Sequence, residues 1–149
     1  MLFRSFKLDT GTWVQVGPLR AAFIDHCAPY VQDVVIAGID REFIAALVFP
    51  DVDSCRELAG APGATMAEIA AHPKVCAEMR ARLASFAKQS TGSSNRIRRL
   101  VILAEGPSID KSEMTDKGSI NQRAVLSNRA ALVASLYEKA PGAHILSAD

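Results

Sequence analysis

The chain has 149 residues, 49% of them hydrophobic, with a mean hydropathy of +0.12, which is ample for one compact domain and too apolar for a disordered segment. Its 17 basic and 16 acidic side chains leave a net charge of +1, which argues against a dedicated nucleic-acid binder. No apolar run approaches the ~20 residues of a membrane span, and the N-terminus lacks a signal-peptide layout.

Three cysteines (Cys27, Cys55, Cys76) without metal-ligand spacing fit buried thiols in a reducing compartment, so the expected setting is the cytoplasm. Residues 1–5 are too short to classify. Phe6, Lys7 and Leu8, and then residues 12–16, have strand composition. Asp9, Thr10 and Gly11 between them are turn formers, which predicts a small hairpin. Pro18 is suited to the first position of a helix, and Leu19, Ala22, Phe23 and Cys27 keep one face apolar as far as Pro29. Residues 31–37 alternate weakly and then turn continuously apolar at 34–37, and after a turn at Gly38–Arg41 a second apolar run covers 43–49, as expected of two central antiparallel strands.

Ser54 with Glu57 and Thr65 with Glu68 have capping-box spacing, each predicting a helix start. Pro73 opens a third helix, striped by Val75, Met79, Leu83 and Phe86. A Ser/Gly loop over 89–95 leads through Arg96, Arg98 and Arg99 into a third strand over 100–104. Ser119 with Gln122 is another capping box, predicting one final helix from Ser119 to Tyr137. Val125, Leu126, Leu132, Val133, Leu136 and Tyr137 lie on its apolar face. The order predicts an α+β fold: a small, mostly antiparallel three-stranded sheet with an N-terminal hairpin, packed by helices.

Several residues carry candidate chemistry. Lys117 and Gly118 sit just outside the predicted cap at Ser119, where a helix N-terminus and a mobile cation suit a phosphate; an ordinary solvated lysine is the simpler alternative. Asp51 and Asp53 resemble a carboxylate pair but read more simply as helix-entry charges. Arg96, Arg98 and Arg99 suit either a nucleotide phosphate or a sheet edge guarded by charge. Trp13 is either core or the wall of a ligand channel. His26, His72 and His144 are isolated, and no metal site is expected from them.

Read together, the two ends of the chain resemble the C-terminal domain of the acyl-adenylate-forming ligases, the superfamily of acyl-CoA synthetases, luciferase and adenylation domains. The resemblance rests on Lys7-Leu8-Asp9-Thr10-Gly11-Thr12-Trp13-Val14, on Val31-Gln32-Asp33-Val34-Val35-Ile36-Ala37-Gly38, and on Thr115-Asp116-Lys117-Gly118-Ser119-Ile120-Asn121-Gln122-Arg123. The last stands where the family carries Thr-x-x-Gly-Lys-hydrophobic-x-Arg-Arg. Its combination with Thr10-Gly11-Thr12-Trp13-Val14 looks most like the feruloyl-CoA synthase branch. The likeness covers nearly the whole chain, residues 1–149 being one C-terminal, mobile domain, with a helical segment over about 54–95 that is longer than the usual family core. Aligned on Thr115 and Gly118, the family's catalytic lysine falls on Ser119. Either Lys117, two positions earlier, takes over the task, or this branch dispenses with it. The family's hinge residue falls at or before residues 1–5, where Arg4-Ser5-Phe6 does not reproduce it.

The resemblance implies an ATP-dependent acid–CoA ligase using ATP, Mg2+ and CoA. Its large N-terminal adenylation domain, the main partner, lies outside this sequence, and no cofactor is expected to bind this portion alone. An aromatic or other carboxylic acid is the implied substrate, with neither nucleic acid nor membrane as a partner. The implied site residues are Lys117 for adenylation and Gly11, Thr12 and Trp13 for CoA. The other reading is a stand-alone binding or regulatory module with no chemistry of its own.

Overall fold

The computed structural model describes residues 4–148. Strands β1 (Ser5–Lys7) and β2 (Trp13–Gln15) form the expected antiparallel hairpin, with Phe6 opposite Val14 and Lys7 opposite Trp13. Alternation decides the faces: Phe6 and Val14 are buried, while Lys7 and Trp13 face outward. Helix α1 (Val16–Cys27) follows β2 without a connecting residue, two residues earlier than Pro18 suggests. Gln15 caps it without a side-chain bond; instead the Val16 N–H donates to the Arg4 carbonyl (2.9 Å), so the residue just ahead of β1 closes the helix start. Val16, Leu19, Phe23 and Cys27 form its buried stripe.

The main sheet has the order β3-β4-β5-β6, comprising β3 (Val31–Ala37), β4 (Ile44–Pro50), β5 (Ile97–Ile102) and β6 (Ile145–Ser147). It thus contains four strands rather than the three expected. β3 and β4 are antiparallel as expected, and β6 is antiparallel to β5, but β5 runs parallel to β4. A parallel neighbour requires a long crossover. That crossover is the helical segment α2 (Val52–Ala59), α3 (Met66–Ala71) and α4 (Pro73–Gln89). It also makes β5 an interior strand, so the reading of Arg96, Arg98 and Arg99 as guards of a sheet edge fails.

Helices on both faces explain why the strands are continuously apolar. Val34, Ile36, Ala46, Val48, Leu100 and Ile102 meet α1 and the crossover helices in one core. Val35, Ala37, Ala45, Leu47 and Val101 form the other core, beneath α5 (Gln122–Asn128) and α6 (Ala130–Ser135). An edge-to-face contact of Phe23 with Phe86 (5.2 Å) locks α4 to α1. Arg82 of α4 donates to the His26 and Ala28 carbonyls (3.1 and 3.2 Å) at the C-terminus of α1, where a cation is favoured.

The helix starts test the cap readings. Thr65 and Glu68 form the expected capping box of α3, and Pro73 occupies the first turn of α4. Ser54 does not cap α2; Asp51 does, its carboxylate accepting from the Ser54 N–H (3.1 Å). Asp51 and Asp53 are therefore helix-entry charges. The expected helix from Ser119 to Tyr137 is divided at Arg129 and starts later than Ser119.

Candidate functional site

The loop between β5 and α5 is built around two polar side chains buried in the interior, Glu113 and Gln122. Glu113, 1% exposed, accepts from Arg129 Nη2 (2.9 Å) and Nε (3.1 Å) and from the Ser108 N–H (2.9 Å). These bonds stabilise the carboxylate and hold its pKa down at about 2, despite the opposing effect of burial. Arg129 also donates to the Glu105 and Gly106 carbonyls (3.0 and 2.9 Å), so one guanidinium gathers both ends of the 105–113 loop.

From Glu113 the backbone rises into a narrow turn. Met114 and Ile120 form an isolated bridge, the Asn121 N–H donates to the Glu113 carbonyl (2.8 Å) and the Thr115 N–H to the Ser119 carbonyl (2.8 Å). The Thr115 carbonyl accepts from the Gly118 N–H (2.9 Å), and Thr115 Oγ1 accepts from the Ser119 N–H (3.2 Å). Gly118 has φ +81, a left-handed conformation that glycine adopts without strain. Asp116 and Lys117 occupy the exposed tip.

Beyond the turn, Asn121 is the true cap of α5, its side chain accepting from the Ala124 N–H (3.2 Å). Ser119 lies outside the helix. Gln122, expected to complete a box with Ser119, points instead at β3: Oε1 accepts from the Ile36 N–H (3.1 Å) and Nε2 donates to the Val34 carbonyl (3.2 Å).

Lys117 and Ser119 line a groove of about 820 Å³ between this turn and the start of α1. Arg4, Arg20 and Arg123 line it too, against Asp116, the single acid among the described residues of its lining. Arg20 is held in place by an ion pair with Asp33 and a bond to the Val34 carbonyl (3.1 Å). Four cations from three parts of the chain thus face one concavity, an arrangement suited to an anionic ligand.

The hairpin turn does not line this groove, which among the described residues meets the hairpin only at its other end, at Arg4 and Gln15. Gly11 has φ +86, its N–H donating to the Leu8 carbonyl (3.0 Å), and the Leu8 N–H donates to the Thr12 carbonyl (2.9 Å). The Thr10 and Thr12 hydroxyls share a hydrogen bond (3.0 Å). Nothing within 4 Å would meet a Cβ at Gly11. Trp13 is 57% exposed, with Lys7 Nζ 5.5 Å from its ring centre, so it is a wall and not core. It opens a second cleft of about 430 Å³ with Leu19, Ala22 and Phe86; Gln15 and Pro18 line both clefts.

Other candidates resolve simply. Arg99 donates to the Leu136 and Glu138 carbonyls (both 2.8 Å), and Arg98 and Arg99 both lie over the Phe43 ring (5.0 and 5.2 Å from its centre). His72 caps α4, accepting from the Lys74 N–H (3.1 Å). The three thiols are free; burial pushes Cys27 up to about 12 and Cys55 up to about 11, and raises Cys76, so none is an activated nucleophile. Among the described residues no three His, Cys, Asp or Glu side chains come together as metal ligands. No described helix is long and apolar enough to cross a membrane. By resemblance the hinge falls at or before residues 1–5, of which residues 1–3 lie outside the described residues.

Sequence reasoning missed Glu113, Arg129 and Asn121 and misassigned Gln122. Asn121 alone carried a local signal, since asparagine is among the best caps.

Comparison with known proteins accords with this geometry. No curated protein sequence matches the chain. Among solved structures, the adenylation domain of the carboxylic acid reductase from Segniliparus rugosus, in complex with AMP and a co-purified carboxylic acid, superposes with a TM-score of 0.65 at 20% identity. It is matched over 90% of this chain and 20% of its own length. The A-PCP didomain of that reductase, in complex with AMP, gives 0.65 and 20% over 90% of this chain and 17% of its own. The adenylation domain of the Mycobacterium chelonae carboxylate reductase gives 0.67 and 19% over 90% and 19%. At that identity the likeness shows the fold alone, and the chain spans about a fifth of these structures' length. Residues 6–141 match the family model of the AMP-binding enzyme C-terminal domain. The chain therefore belongs to that family and is a domain of the AMP-binding, adenylate-forming enzymes.

Proposed function

We propose that the chain is the mobile C-terminal domain of an AMP-forming acid–CoA ligase of feruloyl-CoA synthase type. Its crossover helices form a segment over about 54–95 that is longer than the family core. The observation that carries the reading is the placement of Lys117. It stands at the tip of a turn fixed at its base by buried Glu113 and Gln122, beside a groove that also gathers three arginines.

In the first half-reaction the substrate carboxylate attacks the α-phosphorus of ATP, and pyrophosphate leaves. Negative charge accumulates on the phosphorus oxygens, and a lysine presented there offsets it. In the second, the CoA thiol attacks the acyl carbonyl and AMP leaves. The Gly11 hairpin lines the pantetheine arm, with Thr12 and Trp13 as its polar and aromatic walls. A rigid-body rotation of this domain on the large N-terminal domain exchanges the two surfaces. Mg2+ belongs with the ATP phosphates and the large domain. The substrate is an aromatic or other carboxylic acid bound in that domain, and the free thiols support a cytoplasmic setting.

Lys117→Ala in the full-length enzyme tests the assignment. ATP–pyrophosphate exchange should slow on the order of 10²–10³-fold, the worth of one positioned charge donor. Thioester formation from preformed adenylate should stay within a few fold. Lys117→Ala combined with Ser119→Lys should recover part of the exchange, because both positions line the same groove. Unchanged exchange in Lys117→Ala would return Lys117 to the solvated surface.

A further inference from the structure

Lys117 stands at the tip of its turn without support of its own. Among the described residues its side chain makes no hydrogen bond or ion pair, and neither does that of Asp116 beside it. The reach of the amine is therefore set by the two backbone arms that carry the tip. Those arms are a short ribbon, joined at the Met114–Ile120 bridge and by the Thr115–Ser119 and Glu113–Asn121 bonds. Glu113 is the base of the incoming arm, four residues before Lys117. A small tilt at that base reaches the tip as a larger displacement of the amine.

The base is tied to the main sheet. The Arg129 fork grips both carboxylate oxygens of Glu113, Nη2 on Oε1 (2.9 Å) and Nε on Oε2 (3.1 Å). The same guanidinium lies 5.3 Å from the centre of the Phe49 ring, a buried residue of β4. Asn128 Nδ2 donates to the Lys111 carbonyl (2.9 Å) and to Glu113 Oε2 (3.4 Å), which steadies the approach to the ribbon. Replacing a buried ion pair of this kind by apolar side chains is often neutral for stability. What an apolar contact lacks is direction: a bidentate fork fixes a carboxylate in angle as well as in distance.

We propose that Glu113 and Arg129 are positioning residues for adenylate formation, acting on the reaction through Lys117. The inference rests on the Lys117 reading above and deepens it. Neither residue is placed to touch the reacting atoms: Glu113 is buried, and Arg129 commits its donors to Glu113, Glu105 and Gly106. The clasp holds the ribbon so that the lysine charge arrives where negative charge builds up on the α-phosphorus oxygens. A misplacement on the order of 1 Å there costs about 10²-fold in rate. The pair has no such duty in the second half-reaction, which the hairpin surface serves.

The test uses the full-length enzyme and takes Glu113→Gln, Lys117→Ala and the double variant as a cycle, at a temperature where circular dichroism shows all three folded. Glu113→Gln should lower kcat for ATP–pyrophosphate exchange roughly tenfold while KM for ATP stays within about twofold, because ground-state binding belongs to the large domain. Thioester formation from preformed adenylate should also stay within about twofold. In the Lys117→Ala background the same substitution should slow exchange no further, although it lowers the urea midpoint as much as before. Arg129→Lys, which keeps the charge but loses the fork, should show the same split with a smaller loss, and it carries the test if Glu113→Gln does not fold. Losses that multiply in the double variant, or equal losses in the two half-reactions, make the pair a stability element and overturn the proposal. A slowed Lys117→Ala beside an unaffected Glu113→Gln overturns the proposal and leaves the Lys117 reading standing. Unchanged exchange in Lys117→Ala overturns that reading and the proposal with it.

Discussion

Gln122 makes the two hydrogen bonds that a neighbouring strand would make. β3 is an edge strand, and its outward Ile36 N–H and Val34 carbonyl are covered by one side-chain amide. Gln122→Leu would bury both groups unpaired, at a cost of about 1–3 kcal/mol in urea denaturation. A change below about 0.5 kcal/mol would show that water replaces the amide. One residue earlier, Asn121→Ala should cost about 1 kcal/mol as a lost cap, whereas exposed Ser119→Ala should stay within about 0.5 kcal/mol. Equal losses at the two positions would contradict the helix start described above. The spacing of Ser119 and Gln122 fits a capping box, yet the contact that decides the matter spans 86 residues of sequence. Local pattern has no access to such a partner. It did have access to Asn121, and to Thr65 and Glu68, whose box depends only on neighbours along one helix.

At the scale of elements, the Glu113–Arg129 pair couples the loop carrying Lys117 to the end of α5. Arg129 adopts φ −111 and ψ 35, outside the helical region, while its guanidinium reaches Glu113, Glu105 and Gly106; the last helix is divided there. Its apolar periodicity continues across the break, which is why one helix is expected from sequence. β6 has only three residues, too few for a periodic signal. The parallel pairing of β5 is more readable, because three helices between β4 and β5 are the kind of crossover that parallel strands need. The pair also sets a pH dependence. Glu113 has a folded-state pKa of about 2 against an ordinary 4.5, so its stabilisation is complete above about 4.5 and is lost as pH falls toward about 2. The loss should be on the order of 3 kcal/mol, read as a falling urea midpoint. Glu113→Gln should be less stable at neutral pH and should show a flatter acid limb. Parallel acid limbs for the two proteins would mean that other carboxylates carry the effect.

At the scale of the whole molecule, the start of α1 lies between two surfaces. Gln15 and Pro18 line both the Lys117 groove and the Trp13 cleft, so the two regions are offset on one rigid body. If the domain rotates between poses, damage to one surface should spare the half-reaction served by the other. Gly11 is the position at which to ask this. Its surroundings are open within 4 Å, so a side chain there meets an obstacle only in an assembled pose. Its φ of +86 complicates the choice of variant, since leucine would strain the turn by about 1–2 kcal/mol whether or not a channel exists. Asparagine tolerates the left-handed region and still adds bulk. In the full-length enzyme, Gly11→Asn should leave ATP–pyrophosphate exchange within about twofold, as expected of a surface substitution. Thioester formation from preformed adenylate should fall roughly tenfold or more, because a small displacement of the attacking sulfur is costly. Equal loss in both half-reactions, together with a lower melting temperature, would make Gly11 a turn residue and nothing more. No loss in either would remove the hairpin from the pantetheine path.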